Sequence, residues 1–310
     1  MKKTTLLTIA LAATLTACNN DNPVPAQDGT EANFTARIAG TTGARAYDNT
    51  WEAGDAIGIS ATSGDKTYTN LEYTTDGTGT FTAKADKIYF QTDADVTFTA
   101  YYPWTGLNGV TATTADTRLQ AKQKGFDYLY AQAVGSKASP NVALAFAHKM
   151  SKLVFTVRCG NDVTLDELKK VVLALDGFKT KAAFDVTTGT AAAEGTAEPV
   201  TFANAASADN NAPLAVDEAA GTITFTMITA PQDFTAPLSF VATLPGAQTF
   251  KADIDFTTAN RNAGDTAARN EWKPGYQYNV SVTVTKTSVN IEGCTIAGWI
   301  EADGGDVVAK

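Results

Sequence analysis

The chain has 310 residues and a mass of 32.5 kDa, enough for about two domains with sizeable cores. Its 24 Lys+Arg against 33 Asp+Glu leave a net charge of -9, which excludes a protein that holds nucleic acid by neutralising phosphates. A single histidine, His148, and three cysteines, Cys18, Cys159 and Cys294, leave too few ligands for a conventional zinc site, and no metal or cofactor is expected.

The first element in chain order is an export signal. Met1-Lys2-Lys3 is a positive n-region, and Thr4 to Thr14 is an apolar stretch too short to span a bilayer. It ends in Leu15-Thr16-Ala17-Cys18, the pattern of a lipobox, so residues 1–17 read as a lipoprotein signal peptide. Cys18 is the expected lipidation site, carrying diacylglycerol and palmitate that anchor the chain in the outer membrane. Residues 18–32 are polar, contain Pro and Gly, and read as a flexible tether.

From Asn33 onwards the apolar period is two. Phe34, Ala36 and Ile38 alternate with polar residues, as do Val96, Phe98 and Ala100. Similar runs cover 56–60, 67–73, 80–83, 87–91, 128–133, 142–146, 153–158, 171–175, 182–186, 222–228, 238–244, 249–256 and 276–285. Turn signals such as Ser63-Gly64-Asp65, Asp76-Gly77, Asn108-Gly109, Asp176-Gly177 and Pro245-Gly246 separate them. With 48 threonines in the chain, this pattern predicts an all-β protein of two β-sandwiches, over 33–149 and 150–310. The one helical turn falls at Asp162 to Lys170, where Thr164 and Glu167 form a capping box. Thr187 to Ala197 and Ala203 to Ala220 lack a strong period and read as long surface loops. There is no internal repeat.

Candidate sites are sparse. His148 ends an apolar strand and reads as a hydrogen-bonded structural residue at the domain junction. Neither a nucleophile elbow nor a phosphate-binding Gly-rich loop occurs, and an enzyme is not expected. Asp93 with Asp95 and Asp253 with Asp255 alternate as if on strands, where they are expected to be solvated acids. Tyr101-Tyr102-Pro103-Trp104 closes a core, with glycan contact through Trp104 as the alternative. Cys159 and Cys294 are the one pair left for an intrachain disulfide, although two separate buried thiols are the expectation.

Six segments taken in order carry a family resemblance: Thr42-Gly43-Ala44-Arg45-Ala46, Trp51 to Ile59, Tyr68-Thr69-Asn70, Val96 to Trp104, Asp127 to Ala131 and Phe146 to Leu153. Trp272 to Val280 and Ile296 to Trp299 continue it. Together with the lipobox, this set resembles the fimbrillin-like family, the lipoprotein subunits of type V pili. The resemblance implies two tandem transthyretin-like β-sandwich domains and partners that are other fimbrial subunits, an arginine-specific surface protease and a host or bacterial surface receptor. It also implies trimming after the first strand, a position matched here by Arg45-Ala46, so that a neighbour's donor strand replaces the strand carrying Phe34, Ala36 and Ile38. Arg37 lies within that strand and is shielded from a protease by its pairing. The tail from Ile300 to Lys310 is a weak donor pattern, which favours a tip or accessory subunit over a stalk subunit. A surface glycan-binding lipoprotein is the alternative reading.

Overall fold

A computed structural model describes residues 29–39, 50–106, 112–202, 214–262, 264, 266–267 and 269–299. The signal peptide, Cys18, the cleavage pair Arg45-Ala46, the Asn108-Gly109 turn and the tail from Ile300 all lie outside the described residues. The chain is all-β, as its period-two pattern predicts.

The first half contributes β1 (Asn33–Ile38), β2 (Ala53–Ser63), β3 (Lys66–Asp76), β4 (Thr80–Ala83), β5 (Val96–Tyr102), β6 (Ala112–Asp116), β7 (Leu129–Gly135) and β8 (Asn141–His148). Seven of these pair at both edges, so the hydrogen-bond ladder closes into a ring in the order β8-β1-β4-β3-β2-β5-β7. Their inward alternate residues, including Phe34, Ile57, Ile59, Tyr73, Phe81, Phe98 and Phe146, fill one core together with Trp51 from the segment before β2.

The second half contributes β9 (Ser151–Cys159), β10 (Val172–Asp176), β11 (Lys179–Asp185), β12 (Thr190–Ala197), β13 (Val200–Phe202), β14 (Leu214–Asp217), β15 (Thr222–Thr229), β16 (Leu238–Thr243), β17 (Thr249–Ile254), β18 (Tyr276–Val284) and β19 (Val289–Gly298). A five-stranded sheet, β14-β15-β9-β18-β19, and a four-stranded sheet, β13-β10-β16-β17, share a core rich in Phe, Leu and Val. Helix α1 (Leu165–Leu168) is capped as expected. The Thr164 hydroxyl accepts from Glu167 N–H, and the Glu167 carboxylate accepts from Thr164 N–H.

Between the halves lies a third cluster. β6 crosses over to pair with β11, giving the sheet β12-β11-β6. Tyr128 stacks on Phe184 with ring centroids 4.6 Å apart, and Gln120 exchanges hydrogen bonds with both backbone groups of Ile228. Gly189 lies flat against the Tyr130 ring, while the Tyr130 hydroxyl donates to Thr187 O at 2.8 Å.

Several sequence expectations are corrected here. The stretch read as a loop at Thr187 to Ala197 contains the eight-residue strand β12, and the Ala203 to Ala220 stretch contains β14. Thr30–Glu31 pairs with Tyr89–Phe90 and Ala32 is buried, so the tether gives way to structure before Asn33. Asp93 and Asp95 occupy a bend before β5 rather than a strand, and Asp255 follows β17, where its Oδ1 accepts from Thr257 N–H at the start of a second helical turn. All four acids are solvent-exposed, as their composition suggested.

Cys159 and Cys294 are free. Both pack inward on strands flanking β18, but Cys159 sits opposite Val284 and Cys294 opposite Val280. Two strand spacings and four residues along the strand separate them by roughly 16 Å, too far for a disulfide.

Candidate functional site

The strand singled out in the sequence, β1, has a seat that can be described group by group. It runs parallel to β8 over six residues, from Asn33 opposite Asn141 to Ile38 opposite Phe146. On its other side it pairs antiparallel with β4 at only two positions, Phe34 with Phe81 and Thr35 with Thr80. Beyond those, the strand relies on partners outside the ladder. Ala36 N–H donates to Gly79 O at 2.7 Å, and the Trp51 indole Nε1–H donates to Ala36 O at 2.9 Å. Both backbone groups of one residue are thus held on the β4 side by groups from other parts of the chain.

The inward side chains differ in size. Phe34 is 1% exposed and meets Tyr73 and Phe98 edge to face at 5.0 and 5.1 Å, the geometry aromatic quadrupoles favour. Ala36 and Ile38 are half-buried against the same core. The Tyr73 hydroxyl accepts from Ile88 N–H, and burial pushes this phenol up to about 12, so it stays neutral beneath Phe34. On the outer surface, Thr35, Arg37, Thr80, Ala143 and Ala145 border a shallow groove of about 350 Å³.

Local sequence explains why Trp51 can reach β1. In Trp51-Glu52-Ala53-Gly54-Asp55 the chain buckles at Gly54, whose φ is +92°. Asp55 closes the buckle. Its Oδ2 accepts from Glu52 N–H at 2.8 Å, its Oδ1 accepts from Tyr102 O–H at 3.2 Å, and Lys124 lies 2.9 Å from the same carboxylate. This directs the indole into the barrel, edge to face with Phe81, Tyr102 and Phe146. The motif was visible in the sequence, but its contact with Ala36 was not. Gly79 carried no signal at all. Its φ is +84°, and a Cβ there would lie 2.6 Å from Ala36 O, so only glycine lets β1 approach.

The remaining sequence candidates fall elsewhere. His148 is buried, with Nδ1 2.9 Å from Asp127 Oδ1 and its ring stacked 3.7 Å from Trp299. Lys152 Nζ lies 5.4 Å from the Trp299 ring, and burial lowers this amine to about 8. The arrangement packs the start of β9 against the end of β19. Trp104 is half-buried, donates from Nε1 to Asn70 O at 3.3 Å, and packs on the cluster between the halves. It is a packing residue here, not an open platform for a sugar. Arg37 is exposed on the outer face within β1, paired opposite Ala145.

A site made of backbone partners and graded apolar pockets defines an all-β protein organised around a seated N-terminal strand. The chain belongs to the fimbrillin-like family, whose profile matches residues 44–299, beginning just after β1. By family it is a fimbrial subunit, a component of a cell-surface appendage. It is 31% identical to the Bacteroides uniformis protein "Putative fimbrium subunit Fim1C", over 98% of each chain. Among solved structures, it is similar to a "putative cell adhesion protein" of Bacteroides uniformis, with 29% identity, a TM-score of 0.66, and coverage of 87% of this chain and 98% of that one. The fold also matches a "putative cell adhesion protein" of Bacteroides ovatus, with 23% identity, a TM-score of 0.68, and coverage of 89% and 99%.

Proposed function

We propose that this fimbrial subunit is exported as an outer-membrane lipoprotein on Cys18, is cut between Arg45 and Ala46, and then exchanges β1 for a strand donated by a neighbouring subunit. The observation that carries this reading is the position of β1 inside a closed ring. On its C-terminal side, residues 40–49 connect it covalently to β2, and Arg45 lies in that connection. One cut there turns β1 into a separate peptide held only by pairing and pockets. A vacated position would leave unpaired N–H and C=O groups on β8 and an apolar slot beside them, the features that β-strand addition satisfies. The tail from Ile300 to Lys310 has little apolar alternation, which favours a tip or accessory place over a repeating stalk position, with a contribution to adhesion and biofilm.

The test is N-terminal sequencing and size analysis of the protein from its native cell surface, beside an Arg45→Ala variant. The expected result is a wild type that begins at Ala46 and runs as oligomers, while the variant keeps its lipidated N-terminus and stays monomeric. Both proteins beginning at lipidated Cys18 and remaining monomeric would refute strand exchange.

A further inference from the structure

We propose that the outer face of the five-stranded sheet, at a bulge between β18 and β19, holds a saccharide that bears a single carboxylate. The site lies in the second half of the chain and goes beyond the strand-exchange reading without depending on it.

The argument starts at the bulge. β19 pairs with β18 from Asn279 opposite Thr295 to Ser281 opposite Gly293, and resumes with Val282 opposite Ile291. Glu292 is the residue left over, so Glu292 and Gly293 both reach the outer face beside Ser281, while Ile291 and Cys294 pack against the core. Gly293 has no positive φ, and a Cβ built there would meet nothing within 4 Å. Neither backbone strain nor crowding therefore calls for glycine at this position. Its missing side chain leaves a hollow of about 380 Å³, floored by Asn279, Ser281 and Thr283 on β18 and walled by Arg158 on β9 and by Glu292 and Thr295 on β19. That volume is at the small end of the range for ligand pockets, about 300–1,000 Å³, and suits a terminal sugar.

The lining selects the ligand. Each side chain that borders the hollow is polar, so its occupant is dense in hydrogen-bonding groups rather than a lipid or an apolar peptide. Ser281, Thr283 and Thr295 offer hydroxyls that donate and accept. The Asn279 Oδ1 accepts from Gln277 Nε2 at 2.8 Å, which leaves the Asn279 NH₂ group as a donor. Arg158 stands opposite Thr283 and Glu292 beside Ser281, on strands two spacings apart, which puts their backbones about 10 Å from each other. Among the described residues neither side chain enters an ion pair or a hydrogen bond, so two opposite charges border one hollow without closing on each other. The planar Arg158 guanidinium matches a carboxylate through two parallel bonds. Glu292 accepts from sugar hydroxyls and repels a second anion, which turns away polysulfated and polyphosphate chains.

The experiment uses the full, uncut chain and measures binding by calorimetry and saturation-transfer NMR with four probes: sialyllactose, lactose, methyl glucuronide and a methyl glucuronide sulfated on one hydroxyl. Binding of sialyllactose or methyl glucuronide is expected, and which of them binds tells a sialic from a uronic acid. Lactose should bind at least about tenfold more weakly than the carboxylated probe, and Arg158→Gln should weaken that probe about 10- to 100-fold. Gly293→Leu should fill the hollow and abolish binding. Arg158 and Gly293 are both exposed, so the melting temperatures of these variants should stay at the wild-type value. The sulfated probe should bind more weakly than its parent, and Glu292→Gln should narrow that difference; an undiminished difference overturns the role of Glu292. Lactose binding as tightly as sialyllactose and methyl glucuronide overturns the carboxylate reading. Binding that survives both Arg158→Gln and Gly293→Leu places the sugar elsewhere and overturns the site, as does binding of no probe. The uncut chain keeps β1, so none of these failures bears on strand exchange.

Discussion

Replacing Gly79 with alanine tests whether β1 is held by groups outside its ladder. The added Cβ would stand 2.6 Å from Ala36 O, a backbone atom that cannot rotate away, at a residue with φ of +84°. A non-glycine residue at such a φ costs about 1–2 kcal/mol, and the 2.7 Å bond from Ala36 N–H to Gly79 O, worth about 1 kcal/mol net, would be stretched or lost. The sum is about 2–3 kcal/mol, located between β1 and β4. The assay is native-state amide hydrogen exchange on the intact chain. At about 1.4 kcal/mol per decade, the Ala36 amide should exchange roughly 30- to 150-fold faster. Amides of β9 and β15, in the other half's sheet, should keep their rates. An unchanged Ala36 amide would refute the role of Gly79. Equal acceleration across both halves would show that the substitution destabilises the molecule as a whole rather than loosening one strand.

Three further outcomes are expected. Gly189→Val would drive a Cβ to within 2.3 Å of the Tyr130 ring at a φ of +68°, and calorimetry should show the melting of the two halves separating into distinct transitions; a single unshifted transition would argue against a tight junction. The Glu167 carboxyl is lowered to about 2, first by the Thr164 N–H and then by Lys286 and the Thr164 hydroxyl, so its contribution to α1 is present above the usual glutamate range and is lost as pH falls through about 2. A carboxyl NMR titration should show that low midpoint, and Lys286→Ala should raise it. Burial pushes the Cys294 thiol up to about 12 and raises Cys159, so both should resist alkylation at pH 8 in the native state and react on unfolding, with no mass change on reduction; a two-dalton gain would reveal a disulfide.

The strands with β-branched and aromatic alternation were legible in the sequence, and β4 falls on the expected residues, Thr80–Ala83. Where the sequence was silent, tertiary pairing had overridden local preference. β12, Thr-Ala-Ala-Ala-Glu-Gly-Thr-Ala, contains almost nothing that favours a strand, and exists because β11 offers it a ladder. β19 carries Gly293 at a point where its register against β18 shifts, which breaks the alternation that period reading depends on. The candidate site divides in the same way. Phe34, Ala36 and Ile38 announce themselves by alternation, and Tyr73 and Phe98 sit on strands that the same reading identifies. Trp51 and Gly79 act on a backbone carbonyl and a backbone amide, and no pattern of side chains in β1 encodes that contact.

The pairing around β1 also constrains how it could be replaced. β4 would keep its ladder with β3 if β1 left, from Tyr73 opposite Ala83 to Thr75 opposite Phe81. β8 would not be so well placed, because among the described residues its other strand pairs are Ala147 with Tyr130 and His148 with Leu129, at its C-terminal end. Its remaining six residues would lose their ladder while Val142, Leu144 and Phe146 lost the cover of β1, forming the kind of apolar edge that recruits any available strand. An empty seat is therefore a costly state, and replacement is easier if the incoming strand pairs with β8 as β1 peels away. The two-residue pairing between β1 and β4 suits the proposed exchange, because the β4 side could open while the six-residue parallel ladder to β8 still holds.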